Sequence, residues 1–217
     1  MLTVGIQWDV GYIAESCTPT RSGFDTFLGY YSACLSDYWY HWSPGQCDHE
    51  GPYIDFSNST KKLYPNDIAP SSRYLNGSYY AHVFTNEAVR LIRANGGKGP
   101  PMYFYLAYQN VHLACGSEPP NVAVGSGKKF GLQAPCPSVD LYATSVTDQI
   151  KVQGAMVTEL DYGVGNVTAE LVAQGMWDNS VIFMVADNGA QMDHGKNYPL
   201  RGGKHTFWCG TRWHPPT

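Results

Sequence analysis

The feature that most narrows the fold is an amphipathic stretch, residues 147–174, set between two short apolar runs, 102–108 and 181–186. Ile150, Met156, Val157, Leu160, Val164, Val167, Leu171 and Val172 recur at steps of three and four residues, the period of a helix with one apolar face. Gly175 is the expected stop. Met102–Tyr108 reads as a strand. Val181–Ala186 is bounded by Trp177-Asp178-Asn179 and Asp187-Asn188-Gly189, and reads as a strand buried on both faces. A helix joining two strands implies a parallel, right-handed crossover. Parallel strands end on one edge, so His112 and Asp187-Asn188 are expected to emerge on the same side. Open α/β sheets bind ligands at that edge.

Elsewhere the signals are more local. Residues 2–13 alternate loosely, as a strand would, and 22–29 read as a loop. Residues 85–95 predict a helix with Thr85 as N-cap. Ala88, Leu91 and Ile92 share a face with Phe84, and Asn95-Gly96-Gly97 is the stop. The aromatic run 30–42 is read as packing under a loop in preference to a sugar-stacking platform. Residues 43–77, rich in Pro, Gly, Ser and Asn, predict a surface loop with a short hairpin. Residues 113–142 predict a long loop, which Cys115 and Cys136 could close by pairing.

Composition bounds the class. A chain of 217 residues, 43% hydrophobic and 15% charged, is long enough for one domain with a substantial core. A net charge of −4 and a pI near 5.9 argue against a nucleic-acid partner, which would call for a basic stripe. No apolar run approaches the ~18 residues of a membrane span. Six cysteines and three Asn-x-Ser/Thr sequons, at Asn58, Asn76 and Asn166, point to an oxidising, glycosylating route. Yet residues 1–16 lack the basic start and apolar core of a signal peptide. Met1 is therefore not expected to be the natural start of the domain.

The candidate chemistry lies at the ends of the predicted strands. Asp187 and Asn188 offer a carboxylate beside an amide oxygen, a donor pair suited to Ca²⁺ or Mg²⁺. Asp-Asn-Gly is equally ordinary turn chemistry. Leu200-Arg201-Gly202-Gly203-Lys204 follows, where two glycines let the backbone approach a ligand and Lys204 can meet an anion. His112 closes the strand at 102–108. A metal, a lysine and an imidazole on one edge suggest chemistry on a sulfate or phosphate ester. The phosphoesterase version ranks last, because it needs more metal ligands than this pair.

These segments, in order, resemble the sulfatase family, and within it the arylsulfatase B-like branch. The matching pieces are CTPTRSGFDTFLGY (17–30), HVFTNEAVRLI (82–92), YFYLAYQNVH (103–112), DYGVGNVTAELVAQGMWDNSVIF (161–183), ADNGAQ (186–191) and NYPLRGGKHTFWCG (197–210). The resemblance implies an alkaline-phosphatase-like α/β fold with a mostly parallel sheet flanked by helices. It also implies a lysosomal or secreted hydrolase of sulfate esters or sulfated glycans that uses Ca²⁺. Carried over residue by residue, Asp187 and Asn188 match metal ligands. His112 matches a histidine that contacts the sulfate or assists the leaving group, and Lys204 matches a sulfate-binding lysine.

The departures are as informative. Cys17-Thr18-Pro19-Thr20-Arg21 mimics the motif whose cysteine becomes the formylglycine nucleophile. The following Ser22-Gly23-Phe24-Asp25 instead matches a later family segment, in which the cysteine is a disulfide partner. Where the family carries an active-site Lys and His, this chain has Gln7 and Asp9, and an Asp opposes a sulfate dianion. The expectation is a partial sulfatase catalytic domain over residues 1–217. Its nucleophile segment is expected to lie upstream and its C-terminal subdomain to be absent. The Ca²⁺ site is then incomplete and the chain alone catalytically incompetent. The alternative is a non-catalytic, secreted glycan-binding module or pseudoenzyme using the aromatic run 30–42 and Lys204. The oligomeric state is not legible.

Overall fold

The structure is a computed structural model that describes residues 2–8, 10–31, 38–39, 42–43, 53–54, 56–60, 77–115, 122–124, 130–191, 195 and 197–208. The strand expected near the start is β1 (Leu2–Gln7). Residues 22–29, expected as a loop, instead lead into β2 (Thr26–Tyr30), whose Phe27, Leu28 and Tyr30 are buried. Local pattern missed β2 because Phe27-Leu28-Gly29-Tyr30 does not alternate: a strand inside a sheet is apolar on both faces. Within 43–77, β3 (Trp42–Ser43) and β4 (Tyr53–Ile54) form the short antiparallel hairpin expected there. β5 (Ser57–Thr60) was not anticipated; its Ser- and Asn-rich sequence reads as loop until a partner strand is supplied.

Next come α1 (Tyr80–Asn95) and β6 (Tyr103–Leu106), the latter inside the strand expected at 102–108. In the main sheet the order is β5-β2-β1-β6. β1 is parallel to both neighbours, with Val4 opposite Phe27 on one side and Tyr105 on the other. β5 is antiparallel to β2, with Leu28 opposite Asn58. The sheet is thus mostly parallel, as expected.

The loop expected at 113–142 contains paired short strands. β7 (Ala114–Cys115) pairs with β9 (Phe130–Gly131), and β8 (Val122–Val124) with β10 (Gln133–Pro135). A single helical turn, α2 (Cys136–Val139), follows them. The long helix is α3 (Asp148–Ala173). The Thr147 side chain caps its first turn by accepting from the Ile150 amide. It ends at left-handed Gly175 (φ 65°) as paired bonds run from Gly175 N to Val172 O and from Met176 N to Leu171 O.

α1 buries Ala81, Phe84, Thr85, Ala88, Leu91 and Ile92 as one stripe. Thr85 is therefore not the N-cap; the helix starts five residues earlier, after Tyr79. The aromatic residues Tyr79 and Tyr80 ahead of it are drawn into the core, and that burial outweighs the local capping preference. Thr85 instead shares a hydrogen bond with the Tyr108 hydroxyl at 2.8 Å. α1 is stopped by left-handed Gly96, as expected. The core beneath it is aromatic: Tyr30, Phe56, Tyr80 and Phe84 lie with ring centroids 5.0 to 6.2 Å apart. Tyr30 and Tyr38, from the aromatic run, are buried in it, as packing requires, while residues 32–37, 40 and 41 of the run lie outside the described residues.

The face that α3 buries is rotated from the expected one. Val152, Ala155, Met156, Glu159, Gly163, Glu170 and Leu171 are inside, while Ile150, Val157 and Val172 are at least half exposed. Two carboxylates sit in the buried stripe because α1 supplies their partners. His82 Nε2 donates to Glu159 Oε2 at 2.6 Å, and Ser138 Oγ donates to Glu159 Oε1. Arg93 forks onto both Glu170 oxygens at 3.1 and 2.6 Å. The two ties are eleven residues apart on each helix, so α1 and α3 run in the same direction. That is the sense expected of helices packed on one face of a parallel sheet.

Hydrogen bonds from Arg93, then from Gln174, hold the Glu170 carboxyl below its ordinary value of 4.5. A depressed carboxylate stabilises the fold above its unfolded value, and the contribution is lost as pH falls through the folded one. Accordingly, Glu170→Gln should lower the melting temperature near neutrality, and the gap to wild type should close as melts are taken below pH 4.5. A gap that persists undiminished in acid would remove the ion-pair explanation.

By internal contacts the chain divides into one unit of residues 1–178 and another of residues 179–217. In the second unit, Val181–Ala186 is not the strand expected. It has no regular secondary structure among the described residues, and Val181, Phe183 and Val185 are more than 80% exposed. A parallel strand exists only through hydrogen bonds to neighbours, so an apolar run without such a ladder has nothing to make it one. Among the described residues, no helix is long and apolar enough to cross a membrane.

Candidate active site

His112 lies beyond the carboxyl end of β6, in the first unit. Its backbone amide donates to Gln109 O at 2.8 Å, closing a turn over 109–112. The buried Tyr38 hydroxyl points at that turn, 2.8 Å from Gln109 O and 2.9 Å from His112 O. Asn110 Nδ2 ties the same turn to α3 through Met156 O at 2.7 Å, and to the Tyr79 hydroxyl at 3.2 Å. Tyr38 and Tyr79 stack at 5.5 Å, and burial pushes both phenols far above their ordinary range, so each acts as a neutral hydrogen-bonding group. The His112 ring is exposed, with Nδ1 2.8 Å from Leu113 O. Both polar atoms of the Gln109 carboxamide and Asn110 Oδ1 are buried and have no hydrogen-bond partner among the described residues. Such groups are uncommon in a settled core.

Asp187, Asn188 and Lys204 lie in the second unit. The Asn188 amide donates to Asp187 Oδ1 at 2.8 Å, and Asn188 Nδ2 donates to Gly189 O at 3.0 Å. This is the turn chemistry the triplet allowed, and it leaves Asp187 Oδ2 and Asn188 Oδ1 outside the turn. Next in the chain, Ala190 is gripped on both backbone groups by the Asn197 carboxamide, at 2.8 and 3.0 Å. Ala190 O also accepts from the Lys204 amide at 3.1 Å. One carbonyl therefore staples the Lys204 loop beside the Asp187–Ala190 turn, so the structure brings these two parts of the predicted site together.

The loop carrying Lys204 has its own order. Thr206 Oγ1 accepts from the amides of Gly203 at 3.1 Å and Trp208 at 3.3 Å, and lies 2.8 and 2.9 Å from the carbonyls of the same residues. Gly202 has a φ of 69°, and a Cβ there would sit 2.5 Å from Thr206 Oγ1 and 2.8 Å from Trp208 Cβ. Only glycine serves both needs. His205 also adopts a left-handed φ, 70°, costly for a residue with a side chain and typical of functional loops.

Sequence reasoning missed Tyr38 and Asn110, which hold the turn that carries His112, and Asn197 and Thr206, which hold the backbone at Ala190 and in the Lys204 loop. Asn197 and Thr206 lie close to the motif, yet their targets are main-chain atoms that no spacing rule reveals. Cys17 is a half-buried free thiol ending the turn Glu15–Cys17, and its carbonyl accepts from Trp8 Nε1 at 2.8 Å. The disulfide implied for it is not formed here. Asp9, Asn76 and the side chain of Cys115 fall outside the described residues.

For Ca²⁺, Asp187 Oδ2 and Asn188 Oδ1 are hard oxygen donors on adjacent residues and fit the ion in kind. Among the described residues there is no group of three or more His, Cys, Asp and Glu that could hold a metal. The pair supplies only part of the six to eight oxygens Ca²⁺ usually takes.

Comparison with known proteins gives these residues a context. Residues 3–216 match the Sulfatase family model. Arylsulfatase J of Mus musculus is 33% identical over 208 residues, covering 94% of this chain and 29% of its own length. The uncharacterized sulfatase YdeN of Escherichia coli K12 is 24% identical over 215 residues, covering 92% of this chain and 31% of its own. The chain thus spans less than a third of either relative. Among solved structures, Ps i-CgsB in complex with k-i-k-neocarrahexaose superposes with a TM-score of 0.67 at 21% identity, covering 97% of this chain and 42% of that one. Ps i-CgsB on its own gives 0.62 at 20% identity, covering 93% and 40%. At that identity the likeness shows the fold, which is the alkaline-phosphatase-like α/β arrangement expected. With the family model matching residues 3–216 of this chain, the chain belongs to the sulfatase family.

Proposed function

We propose that this chain is part of a sulfuric ester hydrolase domain that recognises sulfate esters of glycans, and that by itself it binds such esters without turning them over. The observation that carries the reading is the staple at Ala190 O, which holds the Lys204 loop beside Asp187-Asn188. Lys204 binds the sulfate as a compact cation. The family resemblance assigns His112 contact with the sulfate or proton donation to the leaving oxygen. Asp187 and Asn188 would hold Ca²⁺, whose charge, when bound, stabilises sulfate oxygens. The oligosaccharide in the Ps i-CgsB complex supports a glycan as the class of substrate. The exposed sequons Asn58 and Asn166 support a secreted or lysosomal setting.

Incompetence follows from the chain's own residues. Sulfate-ester hydrolysis needs an activated nucleophile and cations for the sulfonyl oxygens. Gln7 and Asp9 stand where the resemblance places a lysine and a histidine. Cys17 belongs to the Ser-Gly-Phe-Asp context and not to that of a nucleophile. The aromatic run 30–42 contributes Tyr30 and Tyr38 to the core, which weakens the purely glycan-binding alternative built on it.

The test uses 4-nitrocatechol sulfate. No release of 4-nitrocatechol is expected, while calorimetry should show binding that Lys204→Ala weakens by about tenfold, the size of one lost charged contact. Turnover that disappears in Cys17→Ala would make Cys17 the nucleophile and overturn incompetence. No binding at millimolar ester would remove the sulfate-ester reading.

A further inference from the structure

We infer that the loop 198–208 is a second subsite, in which Arg201 and Trp208 grip a neighbouring sulfated sugar of a glycan whose reacting ester lies at Lys204. The inference rests on the sulfate-ester reading above. Three large aromatics in this loop face solvent: Tyr198 at 91%, Phe207 at 106% and Trp208 at 61% exposure. Scattered exposed aromatics are ordinary, but three exposed within eleven residues of one loop, one of them in contact with an arginine, are a density that suits a binding surface. The loop is not a slack tether, because Thr206 and Gly202 set its path and seat Trp208 against the glycine turn.

The charge on this patch selects the partner. The Arg201 guanidinium lies over the Trp208 ring, 5.6 Å from its centroid. Stacking of this kind holds the planar guanidinium in one orientation and keeps its donor fork available at the edge. A fork of N–H groups matches two oxygens of a tetrahedral oxyanion. The exposed indole offers flat apolar surface, which suits the C–H face of a pyranose, and Tyr198 and Phe207 add two further exposed rings to the same loop. Alternating anion sites and flat apolar surface is the chemistry of a sulfated saccharide. Lys204, three residues from Arg201 and tied to the Asp187–Ala190 turn, provides the adjoining anion site. A protein partner would use the aromatics without needing the fork. Single-stranded nucleic acid would use both, but the chain's net charge of −4 opposes it.

The experiment titrates the full chain with a heparin hexasaccharide, its desulfated form, 4-nitrocatechol sulfate and a single-stranded hexanucleotide. Arg201→Ala and Trp208→Ala should each weaken the hexasaccharide by about tenfold, and leave 4-nitrocatechol sulfate within about twofold. Arg201→Lys should fail to restore affinity, because an ammonium lacks the fork. Lys204→Ala should weaken both sulfated ligands. Both side chains are exposed, so fold loss is not expected, and far-ultraviolet circular dichroism checks it. Unchanged hexasaccharide affinity in both variants overturns the inference, as does equal binding of the desulfated sugar or of the hexanucleotide. Wild type that binds the small ester but not the hexasaccharide sinks the subsite alone. Wild type that binds neither sinks the sulfate-ester reading with it.

Discussion

Phe84→Ala should lower the free energy of unfolding by about 3–5 kcal/mol, the range for truncating a buried phenylalanine. Phe84 is the point at which α1 meets the sheet. Its ring lies 6.2 Å from Tyr30, 6.1 Å from Phe56 and 5.8 Å from Tyr80, and it is almost fully buried. Alanine leaves a cavity walled by rings that cannot collapse into it without losing their edge-to-face contacts. Against the ~5–15 kcal/mol that holds a typical domain together, that loss is severe. The measurement is urea denaturation followed by far-ultraviolet circular dichroism, with the midpoint moving and the slope unchanged. Ile150→Ala is the internal comparison. Ile150 belongs to the apolar periodicity of α3 but is 54% exposed, so its loss should cost under about 0.5 kcal/mol. Equal costs at the two positions would mean that the aromatic cluster is not the core.

The second large effect is a change of sign between two glycines two residues apart in α3. At Gly165 an added Cβ meets nothing within 4 Å. Gly165→Ala should therefore stabilise by up to ~1 kcal/mol, through helix propensity alone. At Gly163 the same Cβ would sit 2.7 Å from Thr85 Oγ1 and 2.9 Å from the Tyr108 hydroxyl. Those two hydroxyls are hydrogen-bonded to each other across the contact between α1 and the end of β6. Gly163→Ala must spread the helices or break that bond, and overpacking of this kind costs about 1–3 kcal/mol. Net destabilisation should survive the propensity gain, and Gly163→Val should be worse. Differential scanning calorimetry of the single variants and the double variant reads the signs directly. Stabilisation by Gly163→Ala would show that the two helices do not approach as closely as described.

Legibility differed from segment to segment for physical reasons. α3 was legible in extent because a cap at Thr147 and a left-handed stop at Gly175 act on their own neighbours in the chain. Its buried face was not. The apolar periodicity pointed to Ile150, Val157 and Val172, whereas the structure buries Glu159 and Glu170. A buried carboxylate looks wrong in sequence until its partner is known, and His82 and Arg93 lie 77 residues away. The same reasoning covers Thr85. As a residue type it is a good cap, but with Tyr79 and Tyr80 drawn into the aromatic core the helix begins earlier and leaves it in the interior.

The candidate site divides along the same line. Asp187, Asn188, His112 and Lys204 were chosen for their chemistry, which side chains carry with them wherever they are placed. What holds them was hidden. Asn197 works by imitating a backbone partner for Ala190, and Tyr38 by reaching two carbonyls of the turn that carries His112.

By itself, then, the order of residues determined where the main helices stop, where β1 and β6 begin the sheet, which groups could do chemistry, and the kinship with sulfatases. Each depends on a residue and its near neighbours, or on a string of letters. Tertiary structure alone decided that Thr26–Tyr30 is a buried strand, that α3 turns two acids inward, and that Val181–Ala186 stands in solvent without a ladder. Those outcomes depend on a partner distant in the chain. A hydrogen-bond ladder, an ion pair or a buried face belongs to two segments at once, and neither segment encodes it alone.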